Sequence, residues 1–279
     1  MDVKTQTVPE APAQAEESRE KDESWFGFAR FLVLVLLAVV AFRTLVFSPF
    51  SIPSESMLPR LVNGDYLLAA KWPYGWSRHS LPFDAPLMEG RVLASMPERG
   101  DIVIFKHPLD SSDYIKRVIG LPGDTVGVIG GQIVLNGELV PRAAMADFEI
   151  AVSPNTTCAW GGNRIIRADG SAVCAYARFR ETLPGGRQYE VLDFGLTGAD
   201  SMLPVTVPGG HMFVMGDNRD NSRDSRFPAS VGDAVGLVPL ENLVGEASVI
   251  MWSTDGSAEW LKPWTWFTAA RWDRIGKRL

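Results

Sequence analysis

Hydrophobic and polar positions change period several times along this chain, and each change marks a different kind of stretch. Residues 1–24 set Pro, Ala and Glu among almost no large apolar side chains, a composition that predicts disorder. Trp25–Phe47, WFGFARFLVLVLLAVVAFRTLVF, is then apolar nearly throughout. Its uninterrupted part, Phe31–Phe42, has the length of a signal-peptide core, but the acidic leader and the following Phe42-Arg43-Thr44-Leu45 do not suit a cleavage site. The stretch reads as an uncleaved anchor with Arg30 and Arg43 snorkelling near its ends. The orientation adopted is a cytoplasmic N-terminus with everything after Phe47 outside. Charge bias alone is slight, because acids outnumber Lys and Arg before the helix.

From Asp65 onward the period shortens to that of β-strands. Asp65–Ala69, Asp101–Lys106, Tyr114–Ile119, His211–Met215 and Leu243–Trp252 are rich in β-branched and aromatic residues and are bounded by turn residues. Val126–Val140 predicts two short strands, with turns at Gly130-Gly131 and Asn136-Gly137. Residues 72–98 read as an extended hairpin or long loop, and 141–207 are turn-rich. The fold class is therefore mostly β: a single N-terminal transmembrane helix, then an antiparallel β domain with an inserted smaller β domain. The segments are a tail at 1–24, an anchor at 25–47, a main β domain at 48–125 with 208–258, an insertion at 126–207 and a C-terminal segment at 259–279. That last segment spaces Trp260, Trp264, Phe267, Trp272, Ile275 and Leu279 at intervals near three and four, with Lys262, Arg271, Arg274, Lys277 and Arg278 between. It is read as a membrane-surface contact, the alternative being an amphipathic helix packed on the domain.

One stretch joins these parts. Pro49–Leu61, PFSIPSESMLPRL, holds three serines between Pro49, Pro53 and Pro59. Proline fixes its own φ and pushes the preceding residue toward extended geometry, so Ile52 and Leu58 should be extended and Ser54, Glu55 and Ser56 presented between two stiff points.

Composition narrows the chemistry. The net charge of −6 over 279 residues argues against a nucleic-acid binder. The two cysteines, Cys158 and Cys174, form neither a metal set nor a redox motif; outside the cytoplasm they should pair. Three histidines lie in no triad-like or metal-like spacing, so a serine nucleophile needs another base. A lysine serves if burial lowers its pKa enough to leave the amine neutral. Lys116, among Tyr114, Ile115, Val118 and Ile119, is the candidate, with Arg117 on the opposite face. The run Gly216–Arg226, GDNRDNSRDSR, lacks the Gly and distal Glu of a calcium loop; it can make a self-satisfied network of charge-assisted hydrogen bonds, the alternative being an ordinary solvated loop.

Together, Ser-Ile-Pro-Ser-Glu-Ser-Met-Leu-Pro at 51–59, Gly-Asp at 64–65, Arg-Gly-Asp-Ile-Val-Ile-Phe at 99–105, Asp-Tyr-Ile-Lys-Arg-Val-Ile-Gly-Leu-Pro-Gly-Asp at 113–124 and the 216–226 run resemble type I signal (leader) peptidase, a serine/lysine-dyad family. The resemblance implies that Ser56 is the nucleophile and Lys116 the general base. It also implies that Ser54 and the Ser56 N–H form the oxyanion hole and that Ser222 orients the lysine. Asp217, Arg219, Asp224, Arg226 and Arg117 would hold the site by ion pairs. Phe50, Ile52, Pro53, Met57, Leu61, Tyr114 and Ile115 would line apolar subsites for cleavage after small residues of the Ala-x-Ala type. Glu55, where a small residue is common, and Arg60, where Thr is common, depart from the family form. No metal or cofactor is implied. The implied partners are exported preproteins and the lipid bilayer, with a secretion translocon as a candidate, and the implied place is a bacterial inner membrane with the catalytic domain on the extracytoplasmic side. Two rivals share parts of the pattern: the self-cleaving domain of SOS repressors, and a non-enzymatic envelope scaffold.

Overall fold

The structure is a computed structural model that describes residues 13–81, 84–85, 88–158, 161–259 and 261–279, with the backbone alone for 13–24. The disorder expected for 1–12 and the membrane contact expected of Trp260 lie outside the described residues. Two compact units are present, Met1–Arg43 and Thr44–Leu279.

The first unit is carried by helix α1, Ala13–Leu45, of which Trp25–Leu45 is long and apolar enough to cross a membrane. It begins within the stretch expected to be unordered, because Ala, Gln, Glu, Lys and Arg over 13–21 are strong helix formers. The anchor is also two residues shorter than expected: the helix ends at Leu45, and Phe47 already belongs to a strand.

The second unit is built on a seven-stranded sheet. Its strands are β1 (Phe47–Ser51), β2 (Asp65–Ala70), β3 (Ile102–Lys106), β4 (Asp113–Gly120), β5 (His211–Met215), β6 (Val238–Pro239) and β7 (Leu243–Ser253). Their order across the sheet is β1-β2-β7-β3-β4-β5-β6, with every pairing antiparallel. The first strand thus lies far in sequence from β4 and β5, and the long β7 ties the halves together. One face buries Leu67, Ile102, Ile104, Val244 and Ile250 with Met57 and Leu61; the other buries Val103, Phe105, Val118, Met212 and Val214. Burying a side chain of this size stabilises by about 1.5–3 kcal/mol, so alternation along these strands suffices to fix their register.

Between β4 and β5 the chain forms three small sheets. Thr125–Ile129, Gln132–Leu135, Glu138–Leu139 and Ser201–Thr206 make one, Arg142–Ala144 with Arg178–Thr182 and Gln188–Leu192 a second, and Phe148–Ala151, Ala172–Tyr176 and Asn163–Ile166 a third. They share one compact unit with the main sheet, and Ile119, Phe213 and Met215 enter the same core as Val126, Ile133 and Val191. A disulfide ties Cys174, in the strand Ala172–Tyr176, to Cys158 within this region.

Among its described residues the C-terminal segment is α-helical only over α2, Trp264–Ala269, which follows Pro263; the aromatic spacing does not extend into a longer helix. Two of its basic residues are held by the domain. Arg274 grips Asp65 with Nε to Oδ1 at 2.9 Å and Nη2 to Oδ2 at 2.6 Å, and Arg271 donates to the Asn63 carbonyl. Trp264, Phe267 and Trp272 remain exposed.

Candidate active site

The stretch after β1 leaves the sheet at once. The Ile52 N–H donates to the Asp65 carbonyl at 2.8 Å and the Gly64 N–H to the Ile52 carbonyl at 3.0 Å, after which the chain turns. Ser56 therefore sits on a turn beside the sheet rather than on a strand. Its backbone is clamped from the 216–226 loop: Asn218 N–H donates to the Ser56 carbonyl at 3.0 Å and Asn218 Nδ2 to the Glu55 carbonyl at 3.1 Å. The approach is close enough to require Gly216, where a Cβ would lie 2.5 Å from the Ser56 carbonyl oxygen and 2.3 Å from Ser222 Oγ.

Lys116 lies in β4, opposite Val103 of β3, and is 4 % exposed. Its Nζ is 2.6 Å from Ser56 Oγ, across 60 residues of sequence. Burial lowers the ammonium from the ordinary lysine value to about 8; Asp224 and Asp217 oppose that change, and Arg226 adds to it. Among the described residues no carboxylate forms a salt bridge with Lys116, which is why burial prevails. An amine and a hydroxyl in this relation can exchange a proton near neutral pH.

A cavity of about 550 Å³ opens onto this pair. Phe50, Ile52, Pro53, Tyr114 and Ile115 line it beside Ser54, Ser56 and Lys116, and its far rim carries Asn221, Arg223 and Asp233. Ser54 Oγ stands 3.4 Å from Ser56 Oγ. The Ser56 N–H makes no hydrogen bond among the described residues, so it and the Ser54 hydroxyl are both available to an oxygen bound here.

Beneath the pair lies a buried network of charges. Arg117 grips Asp217 with Nε to Oδ1 at 2.7 Å and Nη2 to Oδ2 at 2.6 Å, and donates Nη1 to the Gly100 carbonyl at 2.7 Å. Burial would raise the Asp224 carboxyl, but Arg226, donating Nε to Oδ1 at 2.8 Å, and the Gly216 N–H hold it below its ordinary value. Arg219, almost wholly buried, forks onto Glu181 at 2.8 and 2.5 Å. Glu181 comes from the inserted strand Arg178–Thr182, so the insertion supplies the counter-charge that lets this loop fold inward.

The structure brings together Ser56, Lys116, Ser54 and the ion pairs of Arg117, Asp217, Asp224 and Arg226, and it corrects three expectations. Met57 and Leu61 do not line the cavity; both are fully buried in the core under β2 and β7, where apolar contact outweighs exposure to a subsite. Ser222 packs on Gly216 and, among the described residues, makes no hydrogen bond to Lys116, whose amine instead donates to Ser56. Arg219 pairs with Glu181 instead of an acid of its own loop. Two contributors do not stand out in the sequence: Glu181, whose partner is remote, and Asn218, whose place inside the polar run is the available signal. At Glu55 burial raises the carboxyl, and its Oε2 has no hydrogen-bond partner among the described residues.

Residues 25–252 match the family described as signal peptidase, peptidase S26. The chain is similar to signal peptidase I of Rickettsia typhi, 36% identical over 275 residues that cover 90% of this chain and 92% of the other. It is also similar to signal peptidase I of Rickettsia prowazekii, 35% identical with 91% and 92% covered. A crystal structure of a signal peptidase I from Enterococcus faecalis aligns at 25% identity over 55% of this chain and 98% of the other, with a TM-score of 0.29, too low to bear on the fold.

Proposed function

This chain belongs to the signal peptidase family, peptidase S26, and we propose that it removes signal peptides from exported preproteins with Ser56 as nucleophile and Lys116 as general base. The observation that carries the mechanism is the 2.6 Å contact between a buried lysine amine and a serine hydroxyl at the wall of an apolar cavity.

The neutral Lys116 amine takes the Ser56 proton as Oγ attacks the scissile carbonyl carbon. The carbonyl oxygen, now negative, receives hydrogen bonds from the Ser56 N–H and the Ser54 hydroxyl; a donor in this position typically contributes about 2.7–4 kcal/mol. The Lys116 ammonium returns the proton to the leaving amine, the C–N bond breaks and the signal peptide remains as an ester on Ser56. Lys116 then takes a proton from water, whose oxygen attacks the ester carbon, and gives it back to Ser56 Oγ as the peptide leaves. Small residues are preferred at the cleavage site because Phe50, Ile52, Tyr114 and Ile115 already fill much of the wall of the cavity.

The apolar helix supports a membrane-anchored protein. We place it in a bacterial inner membrane with the second unit on the extracytoplasmic side, which suits the disulfide. Trp264, Phe267 and Trp272, exposed at 66%, 65% and 57%, suit contact with the bilayer interface. Purified full-length protein in detergent should convert a preprotein into a mature form whose N-terminus, read by Edman sequencing, follows a small-x-small triplet. Uncut preprotein, or cutting elsewhere, would overturn the assignment.

A further inference from the structure

A second cavity, of about 680 Å³, lies between β3, β4 and β7 on one side and the inserted strands Arg178–Thr182 and Gln188–Leu192 with the C-terminal segment on the other. It shares no lining residue with the cavity at Ser56. Among the described residues its walls carry seven cationic side chains against three carboxylate side chains, those of Asp101, Glu190 and Glu246. Several of the cations are already committed. Arg117 is held by Asp217 and Arg274 by Asp65, Arg187 pairs with Asp101, and Arg178 donates to Glu190 at 3.1 Å.

Arg60 stands apart from these. Among the described residues it has no carboxylate partner; its guanidinium donates to the Arg278 carbonyl. Arg60 is exposed by surface area, yet partial desolvation of its guanidinium, then the neighbouring charges of Arg117 and Arg274, push it below the ordinary arginine value, against Asp217 and Glu190. Lys277, which also lines the cleft, pairs among the described residues only with the exposed Asp273, at 3.5 Å. Gathering cations without matching acids costs free energy that a bound anion would return. A guanidinium presents its donors in a fork that matches two phosphate oxygens, and a cavity of this size is typical of small-ligand sites.

We propose that the cleft at Arg60 and Lys277 is a binding site for a phosphate-class anion, either free phosphate or the phosphodiester of a lipid head group. Arg60 would supply the bidentate contact and Lys277 a point charge at the rim.

Full-length protein in a neutral maltoside detergent is titrated calorimetrically in two arms, with inorganic phosphate and with dihexanoyl phosphatidylglycerol, at ionic strength matched with sodium chloride. Saturable binding is expected in at least one arm, weakened about tenfold by Arg60→Thr and again by Lys277→Gln, the loss expected for one charge-assisted hydrogen bond. Binding in the phosphate arm identifies a site for the free ion; binding in the lipid arm alone identifies a head-group site. Absence of saturable binding in both arms, or binding that both variants leave unchanged, overturns the proposal. Far-ultraviolet circular dichroism checks that each variant is folded, and Lys277, being exposed, provides a test that does not depend on tolerance of change at Arg60. Because the readout is binding, the result is independent of whether Ser56 and Lys116 perform the peptidase reaction.

Discussion

Lys116 Nζ lies 2.6 Å from Ser56 Oγ while the nearest opposing charges, Asp217 and Asp224, are each occupied by an arginine. That division is what leaves the lysine neutralisable: the acids that would hold it charged spend their oxygens on Arg117 and Arg226. It also gives the reaction a pH signature. Below about 8, where Lys116 carries its proton, kcat/KM for a preprotein should rise about tenfold per pH unit, and above about 8 it should level off. A pH profile that is flat from 6 to 9 would contradict a lysine base.

The same burial should make Lys116 a source of instability. Its pKa in the fold, about 8, lies below the ordinary lysine value of 10.5, so between these pH values the unfolded chain binds more protons and this group's contribution to stability rises with pH. Below about 8 the fold bears the full cost of burying the charge, about 1.36 kcal/mol for each pH unit that separates the two values. Lys116→Met should therefore abolish processing yet melt higher than the wild type at pH 7, with the difference shrinking toward pH 10.5. Melting curves across this range check the sign; a variant less stable at pH 7 would contradict it.

Ser54→Ala should lower kcat by about 10²–10³ with KM little changed, because its hydroxyl would act on the oxyanion and not on the bound substrate. Steady-state kinetics on a peptide substrate separate the two parameters. An effect confined to KM would assign Ser54 to substrate binding.

Glu181→Ala should destabilise the second unit by about 3–5 kcal/mol, since it strands the Arg219 guanidinium in the interior without a counter-charge. Among the described residues the hydrogen bonds of the Glu181 carboxylate go to Arg219 and Tyr189 and not to Ser56 or Lys116, so the loss should appear in chemical denaturation before it appears in the pH profile. A loss below about 1 kcal/mol would show that the ion pair is dispensable.

The strands are legible in the sequence where β-branched residues alternate or run together, as at Ile102–Lys106, Asp113–Gly120 and His211–Met215, because each is buried on both faces of the sheet. Lys116 is legible for the related reason that a lysine in such a run has no cheap place to go. Pairings that depend on the folded chain are not. Nothing near Glu181 points 38 residues ahead to Arg219, and no local rule separates Ile52, which reaches the cavity, from Met57 and Leu61, which turn into the core. The short α2 has a visible cause in Pro263, but the grip of Arg274 on Asp65 spans 209 residues and arises only once β2 and the C-terminus meet.

The Ser56 hydroxyl, activated by Lys116, is the group proposed to cut the preprotein. Its most direct measurement is the rate at which purified full-length Ser56→Ala converts a preprotein to its mature form, beside wild type at the same concentration and pH. No conversion above the uncatalysed background is predicted, with circular dichroism and melting behaviour like those of the wild type. Processing by Ser56→Ala at the wild-type rate would contradict the assignment of Ser56 as the nucleophile.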